Sequence, residues 1–321
     1  METINKTKAR VRTKTDRVRK TKSLIANSKI IPFLWFDGNA EAAMNFYLSV
    51  FKNSKKGEIS RYGESGPGPK GSVMSARFQL EDQPFYALNG GSDFRFTHST
   101  SLYVSCKNVQ EINRLWGKLA EGGNVLMELD KYSFSERYGW IQDKFGLSWQ
   151  LIISNEPHKI TPFLMFGQAQ QGKAEAAMNF YTSLFKNSSI GNIMRYSDSF
   201  PESLIGQVVH ADFKLNNQRF MAMDSGVEQP FSFTPAFSFF VNCKTQVEVD
   251  NLWDKLLDGG EAMQCGWVKD KFGFTWQIVP TILGEYLSDP DREKSERVMQ
   301  AMMQMIKLDI KGLKKAYHDH N

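Results

Sequence analysis

The chain repeats itself, and the repeat constrains its fold more than any other feature. Ala40–Tyr47 (Ala-Glu-Ala-Ala-Met-Asn-Phe-Tyr) returns without change as Ala174–Tyr181. Ile30-Ile-Pro-Phe-Leu-Trp-Phe36 returns as Ile160-Thr-Pro-Phe-Leu-Met-Phe166, and Phe51-Lys-Asn-Ser54 as Phe185–Ser188. Further along, Cys106-Lys107, Trp116 and Gly122-Gly123 reappear as Cys243-Lys244, Trp253 and Gly259-Gly260. Gly139-Trp140, Asp143-Lys-Phe-Gly146 and Trp149-Gln150 reappear as Gly266-Trp267, Asp270–Gly273 and Trp276-Gln277. The order is kept throughout. The offset is 130 at the start, 134 after four extra residues near Gln170–Lys173 and 137 at Cys243, and falls to 127 because copy one is longer around Asn124–Tyr138. A length of 321 residues suits two domains of ordinary size. A duplicated domain explains both observations.

Within each copy the hydrophobic period alternates between that of a strand and that of a helix. In copy one, Ile30–Phe36 is a short apolar run closed by Asp37-Gly38-Asn39. Ala40–Phe51 then places Ala43, Phe46, Tyr47, Val50 and Phe51 at helical spacing. Strands are predicted over 58–62, 72–80 and 84–88, separated by turn-rich segments. The pattern then restarts: a strand over 99–105, and a helix over 109–120 with Ile112, Leu115, Trp116 and Leu119 on one face, stopped by Gly122-Gly123. Two or three strands follow, the last over 147–153. Each copy therefore reads β-α-β-β-β twice, an α+β chain of four such modules.

Paired βαβββ modules resemble the vicinal-oxygen-chelate superfamily of glyoxalases, bleomycin-resistance proteins and dioxygenases. The strings Pro-Phe-Leu-Trp-Phe, Ala-Glu-Ala-Ala-Met-Asn-Phe-Tyr and Gly-Trp-x-x-Asp-Lys-Phe-Gly-x-x-Trp-Gln are similar to its PhnB-like branch. The resemblance implies two glyoxalase-like domains, over 30–154 and 159–281, in which pairs of modules curl into cups. Outside it lie residues 1–29 and 289–318. The second segment is expected to form one C-terminal amphipathic helix. Asp289 would cap it, and Met302, Ile306, Ile310, Leu313 and Tyr317 would form an apolar stripe docked on the body or on a second subunit. The first segment holds ten Lys and Arg against Glu2 and Asp16, a surplus of eight in a chain whose net charge is +5. The remainder is therefore mildly acidic, and nucleic acid is not an expected partner except for this tail. The tail is too poor in apolar residues to fold alone and is expected to be a solvated extension.

Three cysteines (Cys106, Cys243, Cys265) without Cys-x-x-Cys spacing exclude a disulfide framework and point to a reducing cytoplasm. No apolar run is long enough for a membrane span, and no signal-peptide core follows the basic start, so a soluble protein is expected.

In the superfamily, enzymes place a divalent metal in the cup, held by His or Gln on a module's first strand and Glu on its last. The resemblance puts the last-strand position at Gln150 and Gln277, whose neutral amides are poor ligands for hard cations. The first-strand positions fall at Pro32 or Phe33 and Pro162 or Phe163, which offer no side-chain donor. His98, opening the second module, and Gln150 are weak metal candidates, and no metal or other cofactor is expected. His210 and Asp212 share one sheet face. Asp143 and Asp270 read as turn-fixing residues rather than acids. The residues left are aromatic and neutral. Trp35, Phe96, Trp140, Gln150, His210, Trp267 and Gln277 are the candidate ligand-binding residues for a small molecule.

Four functions compete. The leading one is small-molecule binding without the usual metal triad. The second is a divergent metal-dependent lyase, transferase or dioxygenase. The third is the demethylubiquinone methyltransferase label carried by this branch, which the lack of a Gly-x-Gly-x-x-Gly motif after a strand disfavours. The fourth is a structural pseudo-dimer. Two fused copies can make within one chain the contact that separate domains make as dimers, so a monomer or a homodimer is expected.

Overall fold

The computed structural model describes residues 28–64, 68–156 and 159–319. The four modules follow in order. The first is β1 (Ile30–Phe36), α1 (Ala40–Val50), β2 (Lys55–Arg61), β3 (Val73–Leu80) and β4 (Gln83–Asn89). The second is β5 (Thr100–Cys106), α2 (Val109–Leu119), β6 (Asn124–Tyr132), β7 (Ser135–Gln142) and β8 (Ser148–Ile153). The third is β9 (Ile160–Phe166), α3 (Ala174–Leu184), β10 (Ser189–Arg195), β11 (Val208–Leu215) and β12 (Gln218–Asp224). The fourth is β13 (Phe237–Cys243), α4 (Gln246–Leu257), β14 (Glu261–Ala262), β15 (Trp267–Lys269) and β16 (Thr275–Pro280). Three helices close the chain: α5 (Thr281–Leu287), α6 (Arg292–Met303) and α7 (Ile310–His318). Among the described residues, no helix is long and apolar enough to cross a membrane.

The modules pair across the copies. One eight-stranded sheet runs β14-β15-β16-β13-β1-β4-β3-β2 and joins module one to module four. The other runs β10-β11-β12-β9-β5-β8-β7-β6 and joins module three to module two. The seams are antiparallel, with Phe33 opposite Ser238 and Leu102 opposite Pro162. A lone module would leave the backbone of its first strand half unpaired at a sheet edge. The duplication supplies the missing strand from the other copy.

A repeated ion pair seals each seam. The Lys29 ammonium lies 2.6 Å from Glu248 at the start of α4 and donates to the Asn242 carbonyl at 2.5 Å. Lys159 repeats this with Glu111 of α2 at 2.9 Å and with the Ser105 carbonyl. Burial pushes the Glu111 and Glu248 carboxyls up, but hydrogen bonds from Lys107 or Lys244 backbone and from the paired lysine hold both below the usual carboxylate value. Lys29 thus belongs to the folded body, as does Ser28, whose carbonyl accepts from Asn242. That corrects the upper limit expected for the basic tail; residues 1–27 lie outside the described ones.

The copies are held together internally by their helices. α1 to α4 and the sheet faces beneath them share one core, in which Trp149, Trp276, Tyr47 and Tyr181 are fully buried. Within copy one the junction is Asp143. Its Oδ1 accepts from the Phe145 and Leu147 backbone N–H, and its Oδ2 from the Tyr47 hydroxyl of α1 and Trp149 Nε1, all at 2.8–3.1 Å. Gly146 closes this turn at φ +88°, a conformation that only glycine adopts freely. Asp270 repeats the turn with Phe272, Phe274 and Trp276. Burial raises both carboxyls and their donors pull them back.

The expected single C-terminal helix over 289–318 is broken in two. The backbone N–H of Cys265 and Gly266 donate to the Met305 and Ile306 carbonyls, both at 2.7 Å. Those carbonyls are committed to the sheet side, so the helix cannot run through them. The cap of α6 is Asp291, which accepts from Glu293 and Lys294 N–H. Asp289 instead accepts from the Tyr317 hydroxyl at 2.5 Å. Of the expected stripe, Leu313 is fully buried whereas Ile306 is 55% exposed.

Candidate ligand-binding cups

Strand alternation gives each sheet two faces. On β1, Ile30, Leu34 and Phe36 enter the shared helix-side core, while Ile31 and Phe33 cluster on the opposite face with Tyr86, Leu88, Phe240 and Trp267. That opposite face is the cup of the first sheet. Trp35 joins it, 5.8 Å edge-on to Trp267, with its indole N–H on the Gly91 carbonyl at 2.8 Å. Gln277 faces the same way and donates to Ser238 Oγ at 2.9 Å.

This first cup is covered by the chain's own end. Val279 and Phe240 pack with Leu283, Val298 and Leu313 of the terminal helices and with Leu308 in the link between the last two. Gly284 of α5 comes so close to Arg77 that a β-carbon there would lie 3.2 Å from the guanidinium. Candidates Trp35, Trp267 and Gln277 therefore line a cup roofed from β16 towards β3.

The second cup has a different cover. Tyr103, Tyr138, Ile152, Phe163, Met165 and Met221 form its floor, with Met127, Tyr132, Trp140, Met223 and Phe231 packed around them. β6 and β7 form the longer hairpin found only in copy one, and its tip carries Tyr132 and Phe134 beside Tyr138. Three register irregularities interrupt this hairpin's pairing.

Polar atoms in this cup are few and placed. Gln150 Nε2 donates to Ser101 Oγ at 2.7 Å, and its Oε1 accepts from the Tyr138 hydroxyl at 2.9 Å. Trp140 Nε1 donates to Ser148 Oγ at 2.7 Å. His210 stands against the rings of Tyr103 and Phe163 at 6.2 and 5.8 Å. His98 stands edge-on to Trp140 and Phe231. The buried His210 Nε2 and His98 Nδ1 have no hydrogen-bond partner. Burial lowers both imidazoles below their ordinary value, so both are neutral at pH 7. Burial likewise pushes the Tyr103 hydroxyl up to about 12.

The structure thus gathers Trp140, Gln150, His210 and His98 at one cup and Trp35, Trp267 and Gln277 at the other. Phe96 belongs to neither. Its ring packs 5.3 Å from Phe36 on the helix side, because the turn before β5 points it back into the core. The sequence reading missed Ser101, Tyr103 and Met221, and set Phe163 aside for lack of a donor; Ser101 and Tyr103 flank the core residue Leu102, so strand alternation would have placed both on the cup face. Cys106 and Cys243 are free and buried, their thiols pushed up by burial to about 11 and 12, which removes them as nucleophiles.

This architecture, four βαβββ modules in two sheets with a cup on each, defines a two-domain glyoxalase-like protein of the vicinal-oxygen-chelate superfamily. The model of the family described as 3-demethylubiquinone-9 3-methyltransferase matches residues 28–152 and again 158–279, and the chain belongs to that PhnB-like family. A PhnB protein from Bacillus cereus, described as a putative 3-demethylubiquinone-9 3-methyltransferase, is 46% identical over 40% of this chain and 100% of its own, with a TM-score of 0.38. Glyoxalase I from Zea mays is 10% identical over 82% of this chain and 98% of its own, with a TM-score of 0.52. A mutant of the same maize protein is 9% identical over 84% of this chain and 99% of its own, with a TM-score of 0.53. The maize likeness shows the fold alone. No curated protein matches the chain.

The fold raises the question of a metal, and the donors present do not fit one. At the positions implied by the superfamily, β1 and β9 bring Phe33 and Phe163 to the cups. β8 and β16 bring Gln150 and Gln277, each already bonded to a serine. Divalent cations need about three convergent anionic or imidazole donors. Among the described residues, no three His, Cys, Asp or Glu side chains converge.

Proposed function

We propose that the protein binds a small, largely apolar molecule in the cup of the second sheet and does so without a resident metal. The observation that carries the reading is the pair of buried, unpartnered imidazole nitrogens, His98 Nδ1 and His210 Nε2, beside a floor of aromatic side chains, methionines and Ile152. Unpaired buried polar atoms cost stability, and a ligand that satisfies them recovers it. Flexible methionines suit an irregular apolar guest. The first cup is roofed by α5 to α7, which supports one site per chain. The family description and the Bacillus cereus protein name methyl transfer to a demethylubiquinone. Neither sheet here is the open parallel sheet with Gly-rich turns that holds dinucleotide-type cofactors, so binding stands ahead of transfer. The three free thiols support a reducing, cytoplasmic setting.

The test is calorimetric titration of the full-length protein with a panel of neutral aromatic compounds, with metal content measured on the same sample. Saturable binding to one site, weakened by Trp140→Ala and unaltered by Trp35→Phe, supports the reading. Stoichiometric metal lost on His98→Ala would replace it with the metal-dependent enzyme.

A further inference from the structure

We infer that the second cup selects ligands carrying a hydroxyl on an aromatic ring, and that the side chain of Tyr138 is the internal stand-in for that hydroxyl. The inference rests on the proposed binding site and names its ligand class. Ser101 holds one end of the Gln150 amide. Because Nε2 donates to Ser101 Oγ at 2.7 Å, Oε1 is the atom that faces the cup. An oxygen so presented accepts and cannot donate, so only a donor satisfies it. In this structure the donor is the Tyr138 hydroxyl at 2.9 Å, and Tyr138 itself is only 6% exposed. The occupant of this acceptor is therefore a phenol, set on an apolar floor formed by Tyr103, Ile152 and Phe163.

Tyr138 is also placed to leave. It sits on β7, where the strand pairs regularly with β8, so its backbone stays while the side chain turns. On its other side lies the irregular β6 pairing, and Phe134 at the hairpin tip is 60% exposed. Tyr132 and Phe134 contact the ring edge-on at 5.7 and 5.1 Å, so an aromatic surface borders it on the hairpin side. Copy two supports the distinction. Gln277 and Ser238 repeat the oriented amide, but Cys265 occupies the position of Tyr138 and turns its thiol to the Met302 carbonyl at 3.7 Å. The tyrosine is thus tied to the cup that the terminal helices leave alone.

The experiment is isothermal titration of the full chain with 2-naphthol and with 2-methoxynaphthalene, which share the ring system but differ in the donor. The naphthol is expected to bind on the order of tenfold more tightly, the yield of one hydrogen bond. Tyr138→Phe keeps the ring and removes the competing hydroxyl. Because either ring must displace the tyrosine from Gln150, it should strengthen binding of both compounds several-fold and leave the preference for the naphthol in place. Ser101→Ala, which frees the amide to flip, should shrink the preference. Equal binding of both compounds, unmoved by Tyr138→Phe, overturns the hydroxyl preference and leaves the cup as a binding site. Absence of binding by either compound, in wild type and in Tyr138→Phe alike, overturns both readings.

Discussion

Replacing Asp143 tests whether one carboxylate ties the two halves of a copy together. Asp143→Asn keeps a carbonyl for the Phe145 and Leu147 N–H, but puts an amide N–H where Oδ2 stood. The Tyr47 hydroxyl can rotate and accept from it. The Trp149 indole N–H cannot, and Trp149 is fully buried, so a donor is left facing a donor. One such unsatisfied buried group costs about 1–3 kcal/mol. Asp143→Ala strands all four donors. The Phe145 amide is half-buried and can find water, so the buried Tyr47, Trp149 and Leu147 groups set the cost, about 3–9 kcal/mol together. Urea unfolding followed by tryptophan fluorescence reads both values. Asp270→Asn should behave alike, since Phe272, Phe274 and Trp276 surround it in the same way. In a double-mutant cycle, Trp149→Phe should be less costly in the Asp143→Asn background than in wild type, because the stranded donor is gone. An Asp143→Asn protein as stable as wild type, or a cycle with zero coupling, would refute the reasoning.

The seam pairs predict an acid-sensitive interface. The Glu111 and Glu248 carboxyls are held below their ordinary value, so their contribution is complete above the unfolded value of about 4.3 and is lost as pH falls through the lower folded value. Acid unfolding of Glu248→Gln should be correspondingly less steep. The two imidazoles give a second window. Both are lowered, so the stability they preserve is present above about pH 6.5 and is lost as pH drops towards their folded values; His210→Gln should flatten the pH dependence of Tm there. Leu313→Asp puts a charge into the fully buried centre of the terminal cluster and should lower stability by more than about 3 kcal/mol, read by urea unfolding. Because each sheet already contains both copies, light scattering should report the mass of a single chain.

Much of the architecture could be read from local patterns. The repeat, the period changes within it and the glycine stops located all four modules, since these signals act over neighbouring residues. Gln150, Gln277, Trp140 and Trp267 were also recognisable, as residues recurring at fixed points of both copies. What local patterns could not supply was pairing. The sequence looks like two consecutive domains, yet β1 pairs with β13 and β5 with β9, because an exposed strand edge takes whichever partner the whole chain brings to it. The same limit governs the chain's end: its helical period runs past Met305, but two backbone bonds from Cys265 and Gly266 stop it there. Tertiary structure also made the cups unequal. The longer hairpin of copy one was visible as extra length, but that the terminal helices roof the other cup arises from contacts between segments far apart in sequence, which no residue's own propensity encodes.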